Sequence, residues 1–288
     1  MSIDKLHDKI RKMKNPSMLD LSAPKDAIPA HICQGSAVEN YAAFCRELMA
    51  GLKDSVPAVR LRFDTFALLG AEGLNALSQL LKEAQELGFY VLLDAPVILT
   101  PEDAQNIADT IFGGEQYPCD GLLISPYIGS DAIKPFVSFC KADKDLFVVA
   151  RSANKSAMEL QDLMTGTRLV HTATMDIISR CGENIYGKNG YSRVAAVVSA
   201  GSPNSISAIR NGYKYTYLLV DGLEYPSGNH KNCSLAFDRF GYGAVVCAGT
   251  SITAAWKENG TDGTDFVAQA VEAADRMKKN LSRYVTIL

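Results

Sequence analysis

Eight apolar runs of strand length recur along the chain, and segments with helical spacing separate them. The runs cover residues 17–21, 57–63, 89–94, 119–125, 145–151, 193–199, 215–220 and 243–248. One intervening segment carries apolar residues on a single helical face, namely Leu74, Leu77, Leu80, Leu81 and Ala84. Strands that alternate with helices form parallel sheets, and eight such units favour closure into a barrel. The pattern therefore predicts an α/β fold, a (β/α)8 TIM barrel.

Length and composition indicate how many domains the chain forms. A chain of 288 residues, of which 47% are hydrophobic, can bury one large core. We therefore predict a single domain over residues 1–288, with an N-terminal helix over 1–14 and a C-terminal helix over 257–288. The competing architecture is an open doubly wound sheet. The pattern favours it less, because no G-x-G-x-x-G follows the first strand and the composition does not change at mid-chain.

The charge pattern limits the classes of partner. The formal net charge is −3, and no block of lysine and arginine marks a surface for nucleic acid or membrane. Residues 1–13 are amphipathic and charged throughout, unlike a signal peptide or a membrane span, so we expect a cytoplasmic location. The seven cysteines form no C-x-x-C motif, and His230 and Cys233 have no second ligand pair. We expect reduced thiols, no bound metal, and a small-molecule or protein partner.

The third apolar run delivers one carboxylate, Asp94, at the point where the predicted strand gives way to its loop. In α/β folds, catalytic groups are commonly placed at such strand ends. The following residues, Pro96 to Leu99, are apolar and cannot transfer protons. Two interpretations of Asp94 stay open: a functional carboxylate, or a structural acid that accepts hydrogen bonds at the barrel rim.

Three strand-to-loop turns contain small residues that permit close approach of a ligand. Gly249 and Thr250 follow the last strand, where backbone N–H groups can bind an anion or Thr250 can cap a helix. Ser199 and Gly201 follow the sixth strand, where tight turn geometry is an equal explanation. Gly222 begins the long loop after the seventh strand, where barrels often close over a phosphate. These five residues are the candidate substrate-binding positions.

Several short stretches together resemble one enzyme family. In chain order they are NP at 15–16, AVR at 58–60, LGAEG at 69–73, SPYIGSD at 125–131, KPF at 134–136, NKS at 154–156, YS at 191–192, AVV at 196–198 and GYGAVV at 241–246. On these motifs the chain is similar to the bacterial branch of the orotidine 5'-phosphate decarboxylase family. The resemblance covers nearly the whole chain and independently implies the same barrel.

The resemblance also implies an activity and an assembly. The family decarboxylates orotidine 5'-monophosphate without a cofactor, using lysines and aspartates at the second and third strand ends. One of those aspartates comes from the other subunit of a homodimer. Carboxylates crowd the carboxylate of the substrate, while a lysine stabilises and protonates the developing carbanion. By resemblance we expect no cofactor, a homodimer, and a nucleotide or sugar phosphate as the ligand.

Position by position, part of the family's catalytic set is retained. The family lysine of the second strand falls at Arg60, and the first aspartate of the third-strand motif is kept as Asp94. Arginine keeps the positive charge but stays protonated, which makes it a poor proton donor. The resemblance therefore implies that Arg60 and Asp94 are the remaining catalytic positions.

The other catalytic positions of the family are lost. The proton-donating lysine falls at Pro96, the aspartate lent to the partner at Leu99, and the aspartate after the first strand at Ser22, with Asp20 nearby in another register. A proline side chain cannot donate a proton, so general acid catalysis from this position is absent.

The family's binding positions differ as well. The phosphate-binding arginine falls at Thr250, the glutamine of the seventh-strand loop at Pro226, and the serine that contacts the pyrimidine at Ala153. We therefore expect a catalytically impaired or repurposed paralogue of the decarboxylase. The alternatives are a functional decarboxylase that uses Arg60 and Asp94, and an enzyme that acts on another phosphorylated sugar.

Overall fold

The predicted barrel is confirmed by a computed structural model, which describes residues 2–22 and 24–288. The barrel strands are β1 Ser17–Asp20, β2 Ala58–Arg62, β3 Tyr90–Asp94, β4 Gly121–Ile124, β5 Asp145–Val149, β6 Ser192–Ser199, β7 Thr216–Asp221 and β8 Ala244–Ala248. All neighbouring strands are parallel, and β1 pairs with β8 to close the barrel. The ends of each strand lie within two residues of the ends of one predicted apolar run. The agreement arises because a parallel strand that is covered by helices is apolar on both faces.

Helices surround the barrel and cover its outer face. The α-helices are α1 Ser2–Met13, α2 Ala37–Leu52, α3 Phe63–Ala67, α4 Gly70–Glu86, α5 Pro101–Ile107, α6 Val137–Lys141, α7 Val170–Cys181, α8 Pro203–Gly212, α9 His230–Ser234, α10 Thr250–Thr253, α11 Ala255–Glu258 and α12 Phe266–Ser282. A π-helical turn, Ala108–Phe112, continues α5. Short 3-10 turns cover Lys25–Ala27, Gly129–Ala132, Lys134–Phe136 and Lys155–Glu159. No helix in the described part of the chain is long and apolar enough to cross a bilayer.

Two segments differ from the sequence prediction. The stretch 257–288, predicted as one helix, is divided: α11 ends at Glu258 and α12 begins only at Phe266. Gly260 and Gly263 adopt positive φ between these helices, a conformation that ends helical structure. Between β5 and α7, a small antiparallel hairpin pairs Met164–Thr165 with Arg168–Leu169. Strands of two residues produce no apolar run, so the sequence analysis missed the hairpin.

The first helix closes the amino-terminal end of the barrel. Ile3, Leu6 and Ile10 of α1 are buried against apolar side chains that fill the barrel interior. Asp145, at the start of β5, is fully buried, accepts a hydrogen bond from the Tyr90 hydroxyl over 2.8 Å, and also accepts from the backbone N–H of Ile3. This end is therefore packed, and the opposite end of the barrel carries the cavity.

Candidate functional site

An arginine at the centre of the barrel mouth is held by a carboxylate from the adjacent strand. Nε and Nη2 of Arg60 donate to Oδ1 and Oδ2 of Asp94, each over 2.7 Å. The register of β2 and β3 places Asp94 opposite Arg62, which is two residues beyond Arg60. The side chains of Arg60 and Asp94 nevertheless meet at the barrel mouth. A bidentate guanidinium–carboxylate pair fixes both groups in orientation. The structure thus brings together the two residues that the sequence analysis placed in catalytic positions.

Two further carboxylates reach the same guanidinium. Nη1 of Arg60 donates to Oδ2 of Asp221 over 3.1 Å, and Oδ2 of Asp20 lies 3.6 Å away. The thiol of Cys247, on β8, lies 3.7 Å from the same nitrogen. Arg60 therefore contacts residues of four other strand ends and is almost completely buried.

A second arginine faces the solvent above this cluster. Arg62 lies 3.4 Å from Oδ2 of Asp20 and 3.4 Å from Oδ2 of Asp94, and its side chain is 43% exposed against 4% for Arg60. Two arginines and three aspartates leave the cluster with one excess negative charge. The charged centre is thus largely neutralised by its own members.

Burial and charge act on the pKa values in this cluster. Burial raises the pKa of Asp94, and the nearby charge of Asp20 adds to that rise, together outweighing the opposite effect of Arg60 and Arg62. For Arg60, burial alone would lower the pKa, but Asp94, Cys247 and Asp221 outweigh it, so the pKa lies well above the ordinary value. Arg60 therefore does not release a proton at physiological pH.

An open cavity of about 390 Å³ lies above the cluster. Its walls are formed by Asp20, Ser22, Arg62, Asp221, Gly222, Leu223, Glu224, Tyr225, Cys247, Ala248, Gly249 and Thr250. Among the predicted substrate-binding residues, Gly222, Gly249 and Thr250 line it, as does the family position Ser22. The side chains at Pro96 and Leu99 do not line it; Leu99 is 69% exposed on the rim.

Ser199 and Gly201 lie beside this cavity rather than in its wall. Ser199 is buried at the end of β6, and its hydroxyl accepts from the backbone N–H of Gly201 over 3.2 Å. A Cβ atom on Gly201 would lie 2.3 Å from Oγ of Ser227. A side chain at this position would crowd the loop after β7, so packing of the turn is enough to explain a pattern that the sequence analysis also associated with a ligand.

The turn after β8 binds a carboxylate of the same chain. Glu224 accepts hydrogen bonds from the backbone N–H groups of Gly249, Thr250 and Ser251 over 3.0, 3.1 and 2.6 Å. The N-cap of α10 is Gly249, which has no side chain, and Thr250 is the first residue of the helix rather than its cap. The sequence analysis left two interpretations of this turn, an anion site and a helix cap by Thr250. The structure shows the backbone N–H groups directed at an anion, which is the carboxylate of Glu224.

Sequence reasoning missed four residues of the site, namely Arg62, Asp221, Glu224 and Cys247. Asp221 is the last residue of β7, so the signal that singled out Asp94, an acid at the end of an apolar run, was also present there. Glu224 stands in a polar loop and Cys247 in an apolar run, and neither pattern marks a site. In the part of the chain described here, no group of three or more histidine, cysteine or acidic residues is arranged to hold a metal ion.

Fold and mouth together define a (β/α)8 barrel with an arginine–aspartate cluster beneath an open cavity at the carboxyl ends of its strands. No protein-family model matches the chain. Curated relatives do: it is 28% identical to the orotidine 5'-phosphate decarboxylase of Clostridium acetobutylicum over 289 residues, 98% of this chain and 100% of the relative. It is also 28% identical to that of Rhodopirellula baltica over 228 residues, 77% of this chain and 76% of the relative.

Solved structures agree on the fold. The Leishmania donovani OMP decarboxylase superposes with a TM-score of 0.72 at 21% identity, covering 97% of this chain and 100% of that one. The Plasmodium berghei orotidine 5'-monophosphate decarboxylase gives a TM-score of 0.75 at 14% identity, with 97% and 99% covered. In sequence and in fold, the chain is a homologue of the orotidine 5'-phosphate decarboxylases.

Proposed function

We propose that this chain is an orotidine 5'-phosphate decarboxylase-like protein in which decarboxylation is lost or greatly reduced, a non-catalytic or repurposed paralogue of the pyrimidine-biosynthesis enzyme. The arrangement of Asp94 carries the proposal. Both of its oxygens are bound by Arg60, a group that stays protonated. A carboxylate held in this way is neutralised by a neighbour that does not donate its proton.

The lining of the mouth supports the absence of a general acid. Within the described part of the chain, no lysine is among the residues that line the cavity. Loss of a positioned general acid typically lowers a rate by roughly 10²- to 10⁴-fold. Pro96 stands where the resemblance implies the proton donor, and its side chain lies outside the cavity wall.

The phosphate end of the mouth supports the same proposal. In barrels of this kind, the loops after the seventh and eighth strands commonly bind a phosphate through backbone N–H groups. Here Glu224 already accepts from three such groups. A phosphate would have to displace this carboxylate, which weakens phosphate binding at this end of the mouth.

A direct assay tests the proposal. Purified protein is incubated with orotidine 5'-monophosphate, and the absorbance change of decarboxylation is followed beside an active decarboxylase and a buffer control. We expect no change above the buffer control. Turnover at a rate comparable to that of the active enzyme would overturn the proposal.

A second candidate is a functional decarboxylase, and one observation favours it: Arg60 and Asp94 meet at 2.7 Å beneath an open cavity. An enzyme for another phosphorylated sugar is the remaining alternative. Thermal shift measurements separate these cases, because a ligand specific to the folded state raises the melting temperature. Orotidine 5'-monophosphate, uridine 5'-monophosphate and ribose 5-phosphate are the probes: a functional decarboxylase should shift with the nucleotides, and an enzyme for another phosphorylated sugar should shift with ribose 5-phosphate alone.

We also propose that the chain forms a homodimer. Large apolar side chains are exposed on the loops after β2, β3, β4 and β5, which are adjacent in the barrel. The most exposed of these are Leu68 at 89%, Tyr127 at 78% and Leu99 at 69%. Exposed apolar side chains on adjacent loops are typical of a protein interface. We further propose a cytoplasmic location, as expected from the sequence.

A further inference from the structure

The charges that face the mouth cavity are mostly negative. Within the described part of the chain, three carboxylates line it, those of Asp20, Asp221 and Glu224, together with one cation, Arg62. The arginine–aspartate cluster already carries one excess negative charge, and Glu224 adds a second. A cleft lined by one sign of charge concentrates ligands of the opposite sign. The mouth therefore attracts a cation and repels an anion.

The floor of the cavity offers no free donor to an anion. Arg60 donates from Nε and Nη2 to Asp94, and from Nη1 to Asp221. Its side chain is 4% exposed, so an anionic ligand would have to compete with these carboxylates for the guanidinium. At the turn after β8, the same ligand would have to compete with Glu224 for the backbone N–H groups. The donors at both places are already used by the protein itself.

Asp221 is the carboxylate of the cluster that a cation can reach. The other two aspartates each lie 3.4 Å from Arg62, whereas no ion pair joins Asp221 to that arginine among the described residues. The side chain of Asp221 is 30% exposed, against 17% or less for the other two. Its two oxygens accept one hydrogen bond each, from Nη1 of Arg60 over 3.1 Å and from the backbone N–H of Gly222 over 2.8 Å. A carboxylate oxygen has two lone pairs, so each can accept a further bond from a ligand.

Hydroxyl groups line other parts of the cavity. The side-chain oxygen of Ser22 is shielded from solvent and has no hydrogen-bond partner among the described residues. The hydroxyls of Tyr225 and Thr250 also line the cavity and form no hydrogen bond within that part of the chain. A buried hydroxyl without a partner costs free energy that a ligand group can recover. These groups suit a ligand that carries hydroxyls of its own.

We propose that the mouth cavity binds a small protonated amine on a hydroxylated skeleton, such as an amino sugar, with the ammonium group at Asp221 and a ligand hydroxyl at Ser22. A cavity of about 390 Å³ lies in the size range of small-ligand sites. This inference rests on the proposed function, because it takes the barrel mouth as the ligand site of a repurposed paralogue. The ligand then differs in charge from the phosphorylated substrate that the resemblance implies.

Four compounds with six-membered rings separate the contributions. D-glucosamine carries the amine and the hydroxyls, D-glucose lacks the amine, cyclohexylamine lacks the hydroxyls, and D-glucosamine 6-phosphate adds the phosphate. Binding to the wild-type protein is measured by isothermal titration calorimetry, at a pH at which the amine is protonated and at low and high salt. We expect D-glucosamine to bind roughly tenfold more tightly than each of the other three. Its affinity should fall with salt, because the ion pair is partly exposed.

Two variants at the mouth should change this affinity in opposite directions. Asp221→Asn keeps an acceptor oxygen but removes the charge, and should weaken D-glucosamine binding roughly tenfold. Arg62→Gln keeps a hydrogen-bond donor but removes the positive charge from the cavity lining, and should tighten binding. As a matched control, Glu258→Gln removes an exposed carboxylate that does not line this cavity and should leave the affinity unchanged. A merely structural role of the two mouth residues would weaken binding in both variants.

Three results would overturn the inference. The first is that D-glucosamine does not bind, or binds no more tightly than any of the other three compounds. The second is an unchanged affinity in Asp221→Asn, and the third is weaker binding in Arg62→Gln. The compound series and Arg62→Gln keep the test complete if Asp221→Asn does not fold. The proposed function fails by a different result, turnover of orotidine 5'-monophosphate, so the two failures are distinguishable.

Discussion

Replacing Arg60 with methionine tests whether the cluster at the mouth is held together by charge. Methionine keeps a long unbranched side chain but removes the guanidinium. In the wild type, this group makes two 2.7 Å hydrogen bonds to Asp94 and one of 3.1 Å to Asp221. After the change, three aspartates face one another with Arg62 as the remaining cation in the cluster.

The size of the effect follows from burial. Breaking a buried ion pair by removing one partner costs roughly 3–5 kcal/mol, because the other charge stays buried without compensation. The carboxylates are partly wet, with side-chain exposures of 17% for Asp94 and 30% for Asp221. We therefore expect the lower end, ~3 kcal/mol. At roughly 2–4 °C per kcal/mol for a domain of this size class, the melting temperature falls by about 10 °C.

The loss should depend on pH. Burial already raises the pKa of Asp94, and Arg60 is the strongest influence that lowers it. Without Arg60 the pKa rises further, so the folded state of the variant binds protons that the unfolded state does not. Stability then decreases as pH rises through and above the ordinary aspartate range. The gap between wild type and Arg60→Met therefore widens between pH 5 and pH 8.

Urea unfolding followed by the fluorescence of Trp256, the one tryptophan of the chain, measures these free energies. The double variant Arg60→Met with Asp94→Asn removes the uncompensated charge and should recover part of the loss. A cost of less than ~1 kcal/mol for Arg60→Met, or an equal cost at pH 5 and pH 8, would show that charge does not hold the cluster together.

Three further predictions concern other parts of the molecule. Burial raises the pKa of Asp145 well above its ordinary value, so wild-type stability relative to Asp145→Asn should fall as pH rises above the ordinary aspartate range, measured by urea unfolding from pH 4 to 8. Gly222→Ala places a Cβ 2.3 Å from that of Ala153 at a φ of +76°, and should cost ~2 kcal/mol or more in thermal unfolding. Leu99→Asp combined with Tyr127→Asp should shift sedimentation from dimer to monomer; an unchanged dimer places the interface elsewhere.

Much of the fold could be predicted because the barrel strands leave a direct signal. Strands covered on both faces are apolar along their whole length, so the eight runs marked β1 to β8. The divided C-terminal segment was harder to predict. A signal for the break was present, because residues 259–265 read NGTDGTD and are rich in turn-forming residues, but the sequence prediction ran one helix through them. The positive φ of Gly260 and Gly263 ends α11 and delays the start of α12. The hairpin at 164–169 leaves no periodic signal at all.

The site was predictable only in part, for a related reason. Arg60 and Asp94 stand on adjacent strands at family positions, and the sequence was enough to single them out. That their side chains bind each other is a property of the closed barrel. Asp221 lies 161 positions from Arg60, and only barrel closure brings their strand ends to one point.

By itself the sequence determined the architecture, because the alternation of apolar runs and helical segments can bury its surface in few ways. It also determined which chemical groups are missing, since Pro96 and Leu99 cannot carry a charge in any fold. Only the tertiary structure decided how the remaining charges are used. Arg60 is shared among three aspartates and Glu224 is bound by three amides, because these partners come from strand ends and loops that meet only when the barrel closes.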